Sequence, residues 1–168
     1  MLSNESLRIV DTSDRSTRIL ESASNSSVIA SSGSLVAFSE NSPSGPTVNI
    51  TSVDSDLTLT ILLDPRSSNR IEESIRNSGA LLDFGNSTIV ELVMDSNWLV
   101  ATVDVGPFNR TIIVDTSSIN QTLISNPRWD SSSPSIGEGK VAFLQVTRDS
   151  IISTSQESLR NNDVYVYY

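Results

Sequence analysis

The chain contains no cysteine and no histidine, and these two absences exclude several kinds of chemistry. Disulfides and thiolate metal sites need cysteine, and a histidine base or a histidine-bound metal needs an imidazole. The Gly-x-Ser-x-Gly motif of serine hydrolases and glycine-rich phosphate loops are missing as well. Paired carboxylates for glycoside hydrolysis stay open, because 20 acidic residues are present, but no pair stands out. The sequence therefore favours a non-catalytic protein over an enzyme.

Positive charge and long apolar runs are also scarce. Lys140 is the single lysine, and 11 basic residues stand against 20 acidic ones, giving a net charge of -9. Such a surface repels nucleic acid and anionic membranes. No apolar run approaches the length of a membrane span, and Met1–Thr12 lacks the basic and apolar regions of a signal peptide. We therefore expect a protein partner or self-association, and an exported form that begins before Met1.

Asparagine, serine and threonine are abundant and form N-glycosylation sequons of the type Asn-x-Ser/Thr. A chain of this composition generates some sequons by chance, yet the number favours an exported protein. Missing cysteine favours a prokaryotic, in particular archaeal, source. The sequence thus predicts an extracellular or cell-surface glycoprotein. The candidate acceptors are Asn4, Asn25, Asn49, Asn86, Asn109 and Asn120.

An internal repeat organises the chain. The segment Ile9-Val10-Asp11-Thr12-Ser13 recurs letter for letter as Ile113-Val114-Asp115-Thr116-Ser117, and the register continues from Ile19 to Leu123. Each copy reads as a strand, a short polar turn and a second strand. The sequence therefore predicts two equivalent hairpins, 104 positions apart in the chain.

A second repeated unit is an apolar strand that follows a small turn. Leu35-Val36-Ala37-Phe38 matches Leu99-Val100-Ala101-Thr102 and then Val141-Ala142-Phe143-Leu144. Gly33, Asn97 and the pair Gly137 and Gly139 stand in these turns, where a positive φ is needed. Further alternating strands follow each hairpin, so the pattern predicts an all-β chain of antiparallel four-stranded meanders, with a β-sandwich as the alternative.

The last unit carries a specific family resemblance. Pro134-Ser135-Ile136, the turn and strand Gly137-Glu138-Gly139-Lys140-Val141-Ala142-Phe143, and the final strand Asn162-Asp163-Val164-Tyr165-Val166-Tyr167 resemble the TolB-like or WD40-like β-propeller repeat. The resemblance implies propeller blades and little about function. One domain over 1–168 is expected, and a fragment of a larger propeller is the alternative to a complete one. Its expected parts are a partial blade at 1–20, a blade at 22–63, an insertion at 66–85, a blade at 86–124 and a partial blade at 132–168.

Few positions point to a ligand. Asp54 and Asp56 flank Ser55 in a turn, and such carboxylates are a weak candidate Ca²⁺ site, although Asp also simply favours turns. Trp98 begins an apolar strand and is expected in the core, whereas Trp129 is expected at a blade junction. The insertion 66–85, read as a short helix or ordered loop, and the polar segment 146–161 are the favoured interaction sites. The resulting hypothesis is a non-catalytic structural or interaction module of the cell surface, which includes a part of a larger or self-assembling surface protein. The alternatives are a propeller domain of a secreted enzyme and a solute-binding propeller.

Overall fold

A computed structural model describes residues 7–10, 12–20, 28–55, 57–146 and 162–167. The prediction of an all-β chain is confirmed, with a nine-residue helix inserted between two sheets. The strands are β1 (Leu7–Val10), β2 (Thr17–Leu20), β3 (Ile29–Ser32), β4 (Leu35–Ser42), β5 (Gly45–Ser52), β6 (Thr58–Leu62), β7 (Thr88–Asp95), β8 (Trp98–Asp104), β9 (Asn109–Asp115), β10 (Asn120–Leu123), β11 (Asp130–Gly137), β12 (Lys140–Val146) and β13 (Asn162–Tyr167). Helix α1 is Asn69–Asn77.

The strands form four antiparallel sheets in chain order, each a meander of neighbouring strands. Sheet 1 is β1–β2, sheet 2 is β3–β6, sheet 3 is β7–β10 and sheet 4 is β11–β13. Two-residue turns join the first two strands of sheets 2, 3 and 4. Gly33 (φ 56°) and Gly139 (φ 72°) take the left-handed conformation that such turns need. In the β7–β8 turn, however, the left-handed residue is Ser96 (φ 53°), and in the β11–β12 turn Glu138 (φ 51°) accompanies Gly139. The expectation that Asn97 and Gly137 take this conformation is therefore wrong.

Sheets 2, 3 and 4 stack face to face, and sheet 3 is buried on both faces. One face of sheet 3, with Leu99 and Ala101, packs against Ala37 and Ile50 of sheet 2. The opposite face, with Val100 and Ile113, packs against sheet 4. The first strands β3, β7 and β11 contact one another in turn along the stack. We call the face of a sheet that points toward the next sheet in chain order its forward face, and the opposite one its backward face.

The turn positions define which residues are equivalent between sheets. Leu35, Trp98 and Lys140 are each the first residue after a two-residue turn. Val36-Ala37-Phe38 is therefore equivalent to Val141-Ala142-Phe143, letter for letter. The predicted match of Leu35 with Leu99 and Val141 is wrong by one residue, and a slip of one residue moves every side chain of a strand to the other face.

The letter-for-letter repeat does form two equivalent hairpins. Sheet 1 pairs Val10 with Thr17, and the β9–β10 hairpin pairs Asp115 with Asn120. Arg15 and Ile119 are equivalent in the repeat, and both have φ 61°. The two turns therefore share a left-handed residue as well as their sequence.

Helix α1 lies within the segment 66–85, where a short helix was one of the two predicted structures. Ser68 precedes the helix in extended conformation, and Gly79 follows its end with φ 86°. Ile75 and Glu72 are buried on one face because residues three apart share a helix face. This face packs the helix toward sheet 3 through a polar cluster.

Candidate functional site

Arg110 on β9 lies at the centre of a buried polar cluster, and its side chain is fully buried. Its Nη1 donates hydrogen bonds to the carbonyl oxygen of Pro65 (2.7 Å) and to Oε1 of Glu72 (2.7 Å). Its Nη2 donates to the carbonyl oxygen of Pro127 (3.1 Å). The ring of Phe84 lies 5.6 Å from the guanidinium carbon. Arg110 thus joins sheet 3, helix α1 and the loops on either side.

Glu72 is the counter-ion in this cluster. Its carboxylate also accepts hydrogen bonds from the backbone N–H and the hydroxyl of Ser67 (2.8 and 2.9 Å). Burial alone would raise the pKa of Glu72, but the hydrogen bonds from Arg110 and Ser67 and the Arg110 charge outweigh burial. The pKa of Glu72 is therefore lowered below its ordinary value. Glu72 stays ionised and paired with Arg110 at neutral pH.

The Arg110 cluster is a structural clamp, because a fully buried guanidinium gives no access to a substrate. A second contact holds the same helix, since Nη2 of Arg128 donates to Oγ of Ser74 (2.9 Å). These bonds fix helix α1 against the sheets.

The segment 146–161 was the other segment expected to be an interaction site. Its residues 147–161 lie outside the described residues.

A cleft of about 340 Å³ opens between sheets 3 and 4. The forward face of sheet 3 and the backward face of sheet 4 supply its walls. Its lining residues are Trp98, Ile113, Asp115, Asn120, Thr122, Ile136, Gly139, Val141 and Tyr167. The cleft combines two aromatic rings, a carboxylate, an amide and a hydroxyl with an apolar floor, which is the mixture typical of small-molecule sites.

Strand register explains why these side chains meet. Trp98 pairs with Asp115, and Asp115 pairs with Asn120, so all three point to the same side of sheet 3. On sheet 4, Val141 pairs with Tyr167 and faces them. Within the described residues sheet 4 ends at β13, and no fourth strand stands opposite β10. As far as the described residues go, the outer end of the gap between the sheets is therefore open.

The two tryptophans have different environments. Trp98 is 41% exposed, so the prediction that it lies in the core is wrong. Trp129 packs edge-to-face against Tyr165 of β13 with ring centroids 5.9 Å apart. Tyr165 in turn stacks on Phe143 at 6.0 Å. Trp129 therefore contacts sheet 4 next to the Asn126–Arg128 turn, the region where a junction was expected.

The structure separates the six sequon asparagines. Asn86 and Asn120 are exposed, and Asn109 is half-buried. Asn49 is 5% exposed; its amide nitrogen donates to Glu40, and its amide oxygen accepts from Thr60 (2.6 Å). A glycan needs an accessible amide nitrogen, so the folded structure does not fit a glycan on Asn49. Asn4 and Asn25 lie outside the described residues.

The weak calcium candidate finds no support from geometry. Asp54 is exposed in the turn after β5, where its backbone N–H donates a hydrogen bond to Ser52 Oγ (3.1 Å), and Asp56 lies outside the described residues. In the part of the chain that the structure describes, no three acidic side chains gather in a way that would hold a metal ion.

Comparisons with known protein families, curated proteins and solved structures find no match for this chain. Across the described ranges, no helix has both the length and the apolar character needed to cross a membrane.

Sequence reasoning missed the Arg110 clamp and the cleft. A signal for the clamp exists: Arg110 falls on the same strand face as Ile112 and Val114, and Glu72 falls on the same helix face as Ile75. A charged residue at a core position needs a partner, because burying an unpaired charge is costly. The signal for the cleft is the alternation that places Asp115 and Trp98 on one face.

Proposed function

We propose that this chain is a non-catalytic structural or interaction module of the cell surface, built of β-propeller-like blades that associate head to tail. Four-stranded meanders and a middle sheet covered on both faces support blades over a two-layer sandwich. The single observation that carries the association is an exposed face with large apolar side chains at each end of the described sheets.

The forward face of sheet 4 is the first uncovered face. Val164 and Val166 on β13 are 67% and 47% exposed. Ala142 and Leu144 pair with them across β12 and are half-buried. The equivalent faces of sheets 2 and 3 each carry another sheet. An apolar sheet face next to an edge strand is a site for a partner.

The second is the face of sheet 1 with Val10 and Ile19, which also carries the polar residues Arg8 and Thr17. We call it the backward face of sheet 1 by equivalence with the β9–β10 hairpin. Val10 and Ile19 are 56% and 51% exposed. Their equivalents in the repeat, Val114 and Leu123, lie on the backward face of sheet 3 and belong to the core shared with sheet 2. Sheet 1 thus presents the face by which an equivalent hairpin contacts the sheet before it.

Successive sheets of this chain stack with the forward face of one on the backward face of the next, and the two exposed faces are one of each kind. A second copy of this chain would place the backward face of its sheet 1 on the forward face of sheet 4. Such a heterologous contact extends from copy to copy or closes into a ring, depending on the rotation between copies. Exposed side chains at Asn86 and Asn120 are compatible with glycans on an extracellular protein, although the amide nitrogen of Asn86 donates to Oδ2 of Asp83 (2.9 Å).

The test measures mass by light scattering and sedimentation over a range of protein concentrations. Wild type is expected to associate, whereas Val164→Lys and Val10→Lys, each alone, are expected to be monomers. Mixing the two variants restores one intact contact and should give a 1:1 dimer that grows no further. Leu81→Lys is the matched control, because Leu81 is 83% exposed and belongs to neither face.

Each alternative has its own result. A symmetric contact between two copies of one face leaves one of the two lysine variants dimeric. A wild-type chain that stays monomeric at every concentration overturns the proposal of self-association. The extracellular location is tested separately, by measuring the intact mass of the protein purified from its native cells. A mass that shows no glycan on any sequon counts against export with glycosylation.

A further inference from the structure

The cleft between sheets 3 and 4 has the composition of a carbohydrate site, and we propose that it binds a neutral pyranose. This inference does not depend on head-to-tail association, because the cleft uses the inner face of sheet 4 and not the outer face with Val164 and Val166.

Two aromatic rings frame the cleft. Trp98 and Tyr167 are both 41% exposed, although large aromatic side chains contribute most when they are covered. Trp98 comes from the start of β8 and Tyr167 from β13, so the rings approach the cleft from different sheets. A pyranose presents an apolar face of C–H groups, which packs on such a ring and covers it.

Polar groups at the same end can bind the hydroxyls of a sugar. The side chains of Asn120 and Thr122 form no hydrogen bond to any described residue, and both line the cleft. Asp115 is held in place, because its Oδ1 accepts from the hydroxyl of Ser117 (2.6 Å) and its Oδ2 from that of Ser118 (2.7 Å). These bonds also hold the pKa of Asp115 below its ordinary value, so the group is an ionised acceptor at neutral pH.

Charge and size restrict the ligand. Asp115 is the charged residue of the lining, so the cleft disfavours phosphates, sulfates and acidic sugars. The volume of about 340 Å³ falls in the lower part of the range for small-molecule pockets, which suits one or two sugar rings. Ile113, Ile136 and Val141 form an apolar floor, which favours an apolar ring face over an ion.

The sugar has two sources with the same chemistry. One is a free or partner-borne saccharide, and the other is a glycan on Asn120 of this chain, which is a sequon residue at the cleft wall. The two are distinguished by making the full chain both in a host without N-glycosylation and in one that glycosylates Asn-x-Thr.

The experiment follows the indole N–H signals of the two tryptophans by NMR during titration with sugars. The probes are the methyl glycosides of glucose, galactose, mannose and N-acetylglucosamine at millimolar concentration. In the unglycosylated chain we expect at least one probe to shift the Trp98 signal and leave the Trp129 signal in place. Trp129→Phe assigns the signals, and repeating the titration on Val164→Lys shows that association does not contribute.

Variants locate the site. Trp98→Ala should weaken the binding about tenfold and Trp98→Phe less, because the smaller ring keeps part of the stacking surface. Asn120→Ala should weaken it by about threefold to tenfold, the usual effect of a lost hydrogen bond. If the glycosylated chain no longer responds to the probes while the unglycosylated one does, the glycan of the chain itself occupies the cleft.

If none of the four probes shifts the Trp98 signal in the folded, unglycosylated chain, the proposal is overturned. Equal shifts of both indole signals, or an undiminished affinity in Trp98→Ala as followed at other cleft residues, also contradict a sugar site organised by this ring. These outcomes leave the head-to-tail proposal untouched, because its contacts lie on other faces.

Discussion

Replacing Arg110 with methionine should destabilise the fold more than any surface substitution. The change removes the hydrogen bonds to Glu72 and to the carbonyls of Pro65 and Pro127. It leaves the Glu72 carboxylate, whose side chain is 10% exposed, without its cation. Removing one partner of a buried ion pair costs about 3–5 kcal/mol, and we expect a loss in that range in the free energy of unfolding.

A double-mutant cycle separates the pair from its surroundings. Glu72→Leu alone strands the Arg110 charge and should cost a similar amount. The double variant Arg110→Met/Glu72→Leu has no buried charge and should cost less than the sum of the single changes by at least about 2 kcal/mol. Arg128→Met is the matched control, because it removes one exposed hydrogen bond to Ser74 and should cost no more than about 0.5 kcal/mol.

The assay is urea-induced unfolding at neutral pH and low protein concentration, with two probes to check for a two-state transition. A loss below about 1 kcal/mol for Arg110→Met would refute the clamp as a major stabilising element. Costs that simply add in the double variant would show that Arg110 and Glu72 act independently, contrary to their 2.7 Å contact.

Three further predictions concern pH and backbone conformation. Because folding lowers the pKa of Glu72, its ionised carboxylate stabilises the fold above its ordinary pKa of 4.5, and this contribution is lost as the pH falls through the lower folded value. Glu72→Gln should flatten this part of a plot of the free energy of unfolding against pH. Gly106→Ala should lower the free energy of unfolding in urea by about 1–3 kcal/mol, because Gly106 has φ 98° and a Cβ there would lie 2.9 Å from the carbonyl oxygen of Leu81. Gly137→Ala is the control and should have little effect, because the space around Gly137 is open. Ile119→Gly should raise the thermal midpoint by relieving about 1 kcal/mol of left-handed strain at a β-branched residue with φ 61°, and an unchanged or lower midpoint would contradict that reasoning.

Much of the strand pattern could be predicted from sequence because its causes are local. Alternating branched residues favour strands, and the short polar segments between them favour turns. The repeat of Ile9–Ser13 at 113–117 predicted paired hairpins, and even the unusual φ of 61° recurs at Arg15 and Ile119. Local preference, repeated twice, leaves little freedom for another local structure.

The clamp and the cleft could not be derived in this way because they join residues that are distant in the chain. Glu72 and Arg110 meet only after helix α1 folds back onto sheet 3. Tyr167 reaches the cleft because β13 pairs with β12 across a long connection. Neither the helix period nor the strand alternation predicts which surfaces meet, since that depends on the stacking of the sheets.

The misplacement of Trp98 has a specific cause in register. An alignment by identical letters pairs Leu35 with Leu99, because both begin a Leu-Val-Ala sequence. An alignment by the turns pairs Leu35 with Trp98, because each is the first residue after a two-residue turn. In the second alignment Trp98 shares the forward face with Val100, and Leu99 takes the backward face that packs on sheet 2. Trp98 therefore stands at the end of the forward face, where sheets 3 and 4 separate, and its ring enters the cleft instead of the core. Where two-residue turns join the strands, the turn is thus a better guide to equivalent positions than the most similar letters. The choice between the two alignments decides whether Trp98 is expected in the core or in the cleft.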